Sequence, residues 1–155
     1  MKHACASAIL FLALLLPAEA KRHCQFRVHA EANRNDTEVF ASAIRAKVVG
    51  KEVAIEKMAS ITEDDVIGFS AYQAGEGNYG ALIYLDNHGR LTLDTVSVEH
   101  RGGYLFIFMN GRAITELQID KRVSDGKIYI PSGLTAQDLK LMKQDWKVVA
   151  PQKKR

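Results

Sequence analysis

The stretch Tyr104-Leu105-Phe106-Ile107-Phe108-Met109-Asn110-Gly111-Arg112-Ala113-Ile114 decides the fold class. Its first six residues are continuously apolar, the pattern of a central strand buried on both faces. Asn110-Gly111 is the residue pair best suited to the two positive φ angles of a two-residue hairpin turn. Residues 113–119 then return as the partner strand.

Downstream, Ser124-Asp125-Gly126 is a turn and residues 127–130 alternate as a short strand. Pro131-Ser132-Gly133 is expected to break the sheet. The clearest helix follows, over about 135–146. Thr135 is its N-cap, and Asp138 completes a capping box. Leu139, Met142 and Trp146 line one face with Leu141 beside them, while Lys140, Lys143 and Gln144 point outward.

Upstream of the decisive stretch, Gly102-Gly103 is a stop and residues 90–100 are ambiguous. Leu91 and Leu93 alternate, as do Val96 and Val98, so local pattern favours a strand by a small margin; Leu91, Asp94, Thr95 and Val98 give only a thin helical stripe. Residues 79–85 form a strong strand, ended by Asp86-Asn87-His88-Gly89, which can also cap the next element. The Gly-rich residues 74–78 connect it to a strand over 69–73. Thr62-Glu63-Asp64-Asp65 resembles a short helix start, with carboxylates where the helix dipole suits them. Residues 52–58 and 25–32 alternate, the latter with Phe26, Val28 and Ala30 on one face. Gly50-Lys51 and Asn33-Arg34-Asn35-Asp36 read as turns, and residues 39–49 are open between strand and helix. The sum is α+β: a mainly antiparallel sheet with one or two helices packed on one face, the C-terminal helix among them.

The ends of the chain carry a different message. Met1-Lys2-His3, an apolar run to Pro17 and Ala18-Glu19-Ala20 form the three parts of a secretory signal peptide, with cleavage expected after Ala20. The run falls short of the roughly 18–20 residues that span a bilayer. Residues 21–155 are therefore expected to be one soluble domain, exported to the periplasm or the cell exterior, with the membrane not spanned after cleavage. The formal net charge is +3, its excess concentrated in Lys21-Arg22 and Lys153-Lys154-Arg155. Frayed basic ends are not the basic stripe of a nucleic-acid binder, and that class is set aside. Cys5 leaves with the leader, so Cys24 has no intrachain partner, and an odd thiol in an oxidising compartment raises an intermolecular disulfide and a homodimer.

A search for chemistry finds no constellation. His23, His29, His88 and His100 lack metal-ligand spacing. Cys24 follows His23, but adjacent strand residues point to opposite faces. Gly75-Glu76-Gly77 and Gly102-Gly103 lack the spacing of a phosphate-binding loop. Asn35-Asp36-Thr37 matches an N-glycosylation acceptor in a eukaryotic source. The residues assign no catalytic group, no metal and no cofactor.

From about Glu52 to Trp146 the order of motifs resembles the head subdomain of the first periplasmic domain of the bacterial SecD/SecDF preprotein translocase subunit. The carriers are the 104–114 hairpin, Asp125-Gly126-Lys127-Ile128-Tyr129-Ile130, the helix start Ser132-Gly133-Leu134-Thr135, and Ala81-Leu82-Ile83-Tyr84-Leu85-Asp86 upstream. The resemblance implies a helix over 90–100, against the local alternation, and a helix is the expectation there. It also implies a cell-envelope location and a polypeptide partner. The transmembrane helices of SecD have no counterpart in this sequence, and proton-driven pulling is not implied. The expected function is thus a non-enzymatic protein-binding domain, linked to export, that uses an exposed sheet edge or the groove beside the terminal helix. The 75–78 loop and the Asn110-Gly111 hairpin are candidate contact elements. An oligomeric structural or stress-related envelope protein, bridged through Cys24, and a small secreted hydrolase using His88 or His100 with nearby acids are the alternatives.

Overall fold

The computed structural model describes residues 22–33, 39–46 and 50–150. The leader, the Asn35-Asp36-Thr37 pattern and the basic run Lys153-Lys154-Arg155 lie outside the described residues. The strands are β1 (Phe26–Ala30), β2 (Ala41–Arg45), β3 (Glu52–Glu56), β4 (Ile61–Thr62), β5 (Val66–Gly75), β6 (Asn78–Leu85), β7 (Tyr104–Met109), β8 (Arg112–Gln118), β9 (Lys127–Leu134) and β10 (Lys147–Val148). The helices are α1 (Asn87–Glu99) and α2 (Ala136–Asp145). The architecture is α+β. Among the described residues no helix is long and apolar enough to cross a membrane.

Two four-stranded sheets share one core. Their orders are β4-β1-β7-β8 and β10-β5-β6-β9, and β2 and β3 form a separate ribbon. Every pairing is antiparallel except β10 on β5. The apolar stretch 104–109 lies inside its sheet, between β1 and β8, with Leu105, Phe106, Ile107 and Met109 buried. The turn after it has positive φ at Asn110 (51°) and Gly111 (76°), as the residue pair demands. Trp146, at the C-cap of α2, ties the two sheets together. The edges of Phe26 on β1 and Phe69 on β5 meet it at centroid distances of 6.2 and 6.4 Å.

Residues 87–99 are a helix, as the family resemblance implies and the local alternation does not. Asp86 caps it, its carboxylate accepting the Gly89 N–H at 2.8 Å. The inward face is Gly89, Leu93, Val96 and Ser97. Ser97 is fully buried because its Oγ donates to the Asp94 carbonyl and accepts the Val123 N–H. Leu91 and Val98, which created the alternation, are both 55% exposed.

One local expectation is corrected. Pro131-Ser132-Gly133 does not break the sheet, because β9 runs through to Leu134. The strand absorbs the irregularity as a register shift, from Ala81 opposite Ile130 to Tyr79 opposite Leu134, with Gly133 at φ 103°. Pro131 is tolerated because β9 is an edge strand of its sheet. The short helix start at Thr62 is present as a single 3-10 turn, Glu63–Asp65, before β5 begins.

Candidate functional site

Strand β5 has a partner along one side only for much of its length. On the other side β10 pairs with Gly68 and Phe69 alone, and the Val149 N–H closes the ladder on the Phe69 carbonyl at 2.8 Å. Backbone groups in a strand alternate sides with period two. Phe69 turns toward β10, so Ala71 and Gln73 turn their peptide groups to the same side. Ser70 and Tyr72 turn theirs to β6. Beyond Phe69, no strand lies against that side of residues 71–75 among the described residues. An unpaired edge of this kind is a template for another strand.

A groove of about 320 Å³ runs beside this edge. Phe69, Ala71 and Tyr79 give its sheet wall, Leu139 and Lys143 of α2 face them, and Val148 to Ala150 close one end. Among the described residues no acidic group lines it, and Lys143 is its one charged group. The helix wall is set by the α2 cap: Thr135 and Asp138 bond reciprocally, as the capping box predicts. The opposite face of β5 is held by Tyr72, which stacks on Tyr129 at 6.0 Å and donates its hydroxyl to the Pro131 carbonyl at 2.9 Å. Gly80 leaves room for that ring, since a Cβ there would lie 2.3 Å from it.

The expected sheet edge and helix groove thus meet at one place. Of the two contact elements read from sequence, the 75–78 loop ends the open strand, with Glu76 and Gly77 exposed. The Asn110-Gly111 hairpin is bound into its own chain instead. Asn110 Nδ2 donates to Asp138 at 2.8 Å, Asn110 Oδ1 accepts the Gln25 N–H, and Arg112 also bonds Asp138. Gln73, Lys143, Val148 and Val149 were not singled out by sequence as site residues. Val148-Val149, a short apolar pair just past the helix, was the available signal for an added strand.

Cys24 does not sit where a second chain could reach it. It is 2% exposed, with Sγ 3.4 Å from the Met109 sulfur. Burial, then the negative charges of Asp145, Asp138 and Glu63, push its thiol up to about 12. A homodimer bridged through Cys24 is not supported by this placement. It lies by a broad cleft of about 600 Å³ with His23 and Asp145. There Asp145 accepts the Cys24 N–H at 2.6 Å and faces His23 at 3.3 Å. The Cys24 N–H, offset in part by burial and aided by His23, holds that carboxyl below its usual range.

The histidines do find acids. His88 Nδ1 lies 2.6 Å from Asp65, and this hydrogen bond and the carboxylate charge raise its pKa. His100 lies 3.5 Å from Glu56, and His29 Nδ1 lies 2.8 Å from the Glu56 carbonyl. Asp65, Asp86 and His88 could each offer a metal one ligand atom within 4.8 Å of the others. Their oxygens already have structural partners: Asp65 accepts the Thr62 N–H at 2.8 Å, and Asp86 caps α1. Among the described residues no hydroxyl or thiol is hydrogen-bonded to His88 or His100 as a nucleophile would be.

No protein-family model and no curated protein matches the chain. Solved structures do. The chain is similar to a structure of a membrane component, SecDF, that enhances protein export, at 14% identity and a TM-score of 0.54. The match covers 83% of this chain and 66% of that one. A structure of SecDF in a super-membrane-facing form matches at 12% identity and a TM-score of 0.47, over 87% of this chain and 31% of that one. The resemblance in fold to a SecD/SecDF periplasmic domain, implied by the motif order, is found in three dimensions in the first of these. The chain spans less than the whole of either neighbour.

Proposed function

We propose that this chain is an exported, non-enzymatic polypeptide-binding domain of the cell envelope, linked to protein export and acting after removal of residues 1–20. The observation that carries the proposal is the coincidence of a strand edge that no described strand pairs, residues 71–75 of β5, with an apolar groove against α2. Strand addition to such an edge is a general way to hold extended polypeptide, with backbone bonds giving affinity and side-chain pockets giving selectivity. The link to export draws on the fold shared with SecDF, a component that enhances export. The leader pattern supports a periplasmic or extracellular site of action.

The test is site-specific photo-crosslinking in exporting cells. A photoreactive residue at Gln73 should capture exported chains, while the same group at Tyr129 or Phe40, exposed on other faces, should capture few. Capture from none of the three positions would contradict a polypeptide-binding role.

A further inference from the structure

We infer that the β5 edge takes an extended segment of about five residues, apolar at alternate positions and free of positive charge, as an added strand. This rests on the polypeptide-binding reading and specifies its ligand. The edge offers the peptide groups of Ala71 and Gln73, and the stretch from 71 to 75 sets the length of strand that can pair. The β10 end of the groove is closed by Val148 to Ala150, so the guest lies between that end and the Glu76-Gly77 turn.

The chemistry of the lining chooses the guest. The groove wall is Phe69, Ala71 and Leu139, which reward an apolar side chain and penalise an unpaired polar one. Side chains of paired residues in neighbouring strands share a face. The guest residues beside Ala71 and Gln73 therefore enter the groove, and those between them face solvent. Lys143 is the single charge there among the described residues, so acidic segments are favoured over basic ones, by no more than about fivefold at an exposed site. A second copy of the chain fits poorly. Its own 71–75 stretch, Ala71-Tyr72-Gln73-Ala74-Gly75, puts only Ala71 and Gln73 on the groove face before the register shift between Gln73 and Gly75, and would leave the cavity unfilled.

The pairing pattern supplies a test that leaves the protein untouched. In an antiparallel pair the guest residues that face the groove also bond to β5, whereas in a parallel pair the residues between them do. The probe is a short fluorescein-labelled peptide alternating valine and threonine with one glutamate, followed by fluorescence anisotropy. Two further versions carry N-methyl groups on the valine amides or on the threonine amides. The parent should bind saturably, and one methylated version alone should lose about tenfold or more. Loss on valine methylation is expected, because antiparallel pairing is the more stable; loss on threonine methylation alone also supports the edge, with the guest reversed. Equal effects of both, or none, would overturn the proposal. Gln73→Pro removes the outward N–H without touching the β6 ladder and should weaken the parent about tenfold with thermal unfolding unchanged. Unchanged binding would also overturn it, and so would a dimer in sedimentation that Gln73→Pro dissolves. Failure here with continued capture of exported chains from Tyr129 or Phe40 would reject this edge while leaving the binding role in place.

Discussion

Asp138 is only 3% exposed, yet it gathers the Thr135 N–H and hydroxyl, the Asn110 amide and the Arg112 guanidinium. Burial alone would raise its pKa, but the Thr135 N–H leads a set of donors that outweighs it and holds the carboxyl below its usual 3.8. Between the folded and unfolded values the unfolded chain binds more protons, so stability rises with pH there. The contribution is present above the ordinary carboxylate range and is lost as pH falls through the lowered folded value. Urea unfolding between pH 5 and about 2 should show that loss, and Asp138→Asn should flatten it. At neutral pH, Asp138→Ala should cost about 1–3 kcal/mol, because buried donors are left unmade. Cys24 makes a contrasting case. With its thiol covered and pushed up to about 12, it should resist alkylation in the native protein and react promptly in urea. Rapid native labelling would contradict the buried placement.

At the scale of elements, the cap of α2 is where sequence and structure agree most closely. Thr135→Ala should remove about 1 kcal/mol of stability by chemical denaturation. The Asn110-Gly111 turn was equally legible, because its positive φ angles are a property of the residues themselves. Helix α1 was not legible locally: its inward face uses Gly89 and Ser97, which no apolar count records, and exposes Leu91 and Val98, which such a count would bury. Only the order of motifs along the chain pointed to a helix there. The passage of β9 through Pro131 was hidden for a similar reason, since whether a proline breaks a sheet depends on whether its strand is an edge. The same applies to the candidate site. Leu139 could be placed on the helix and Gln73 near a strand end from sequence, but the open edge exists because β10 is only two residues long and joins from the far end of the chain. Gly80 holds the other face of that strand in place. Gly80→Val would drive a methyl into Tyr72 and the Pro131 carbonyl, at a cost of about 1–3 kcal/mol. It should also weaken peptide binding by displacing β5.

Across the molecule, one apolar cluster runs from Cys24 through both sheets to Trp146. Met142 lies within it, fully buried, so Met142→Ala should cost about 2–5 kcal/mol. Because Trp146 touches both sheets, its fluorescence and far-ultraviolet circular dichroism should report a single coincident transition. That shared core holds β5 rigid along Phe69, and β6 pairs its outer half on one side while no described strand lies on the other, which is what a strand-accepting surface requires. The most direct test is amide hydrogen exchange at Gln73, followed residue by residue in the free protein and with the alternating valine–threonine peptide at saturation. Exchange should be fast at Gln73 in the free protein and slow by about tenfold or more with peptide, while Ser70 and Tyr72, bonded to β6, stay protected in both states. Protection of Gln73 before peptide is added, or no change on its binding, would contradict an open edge that receives a strand.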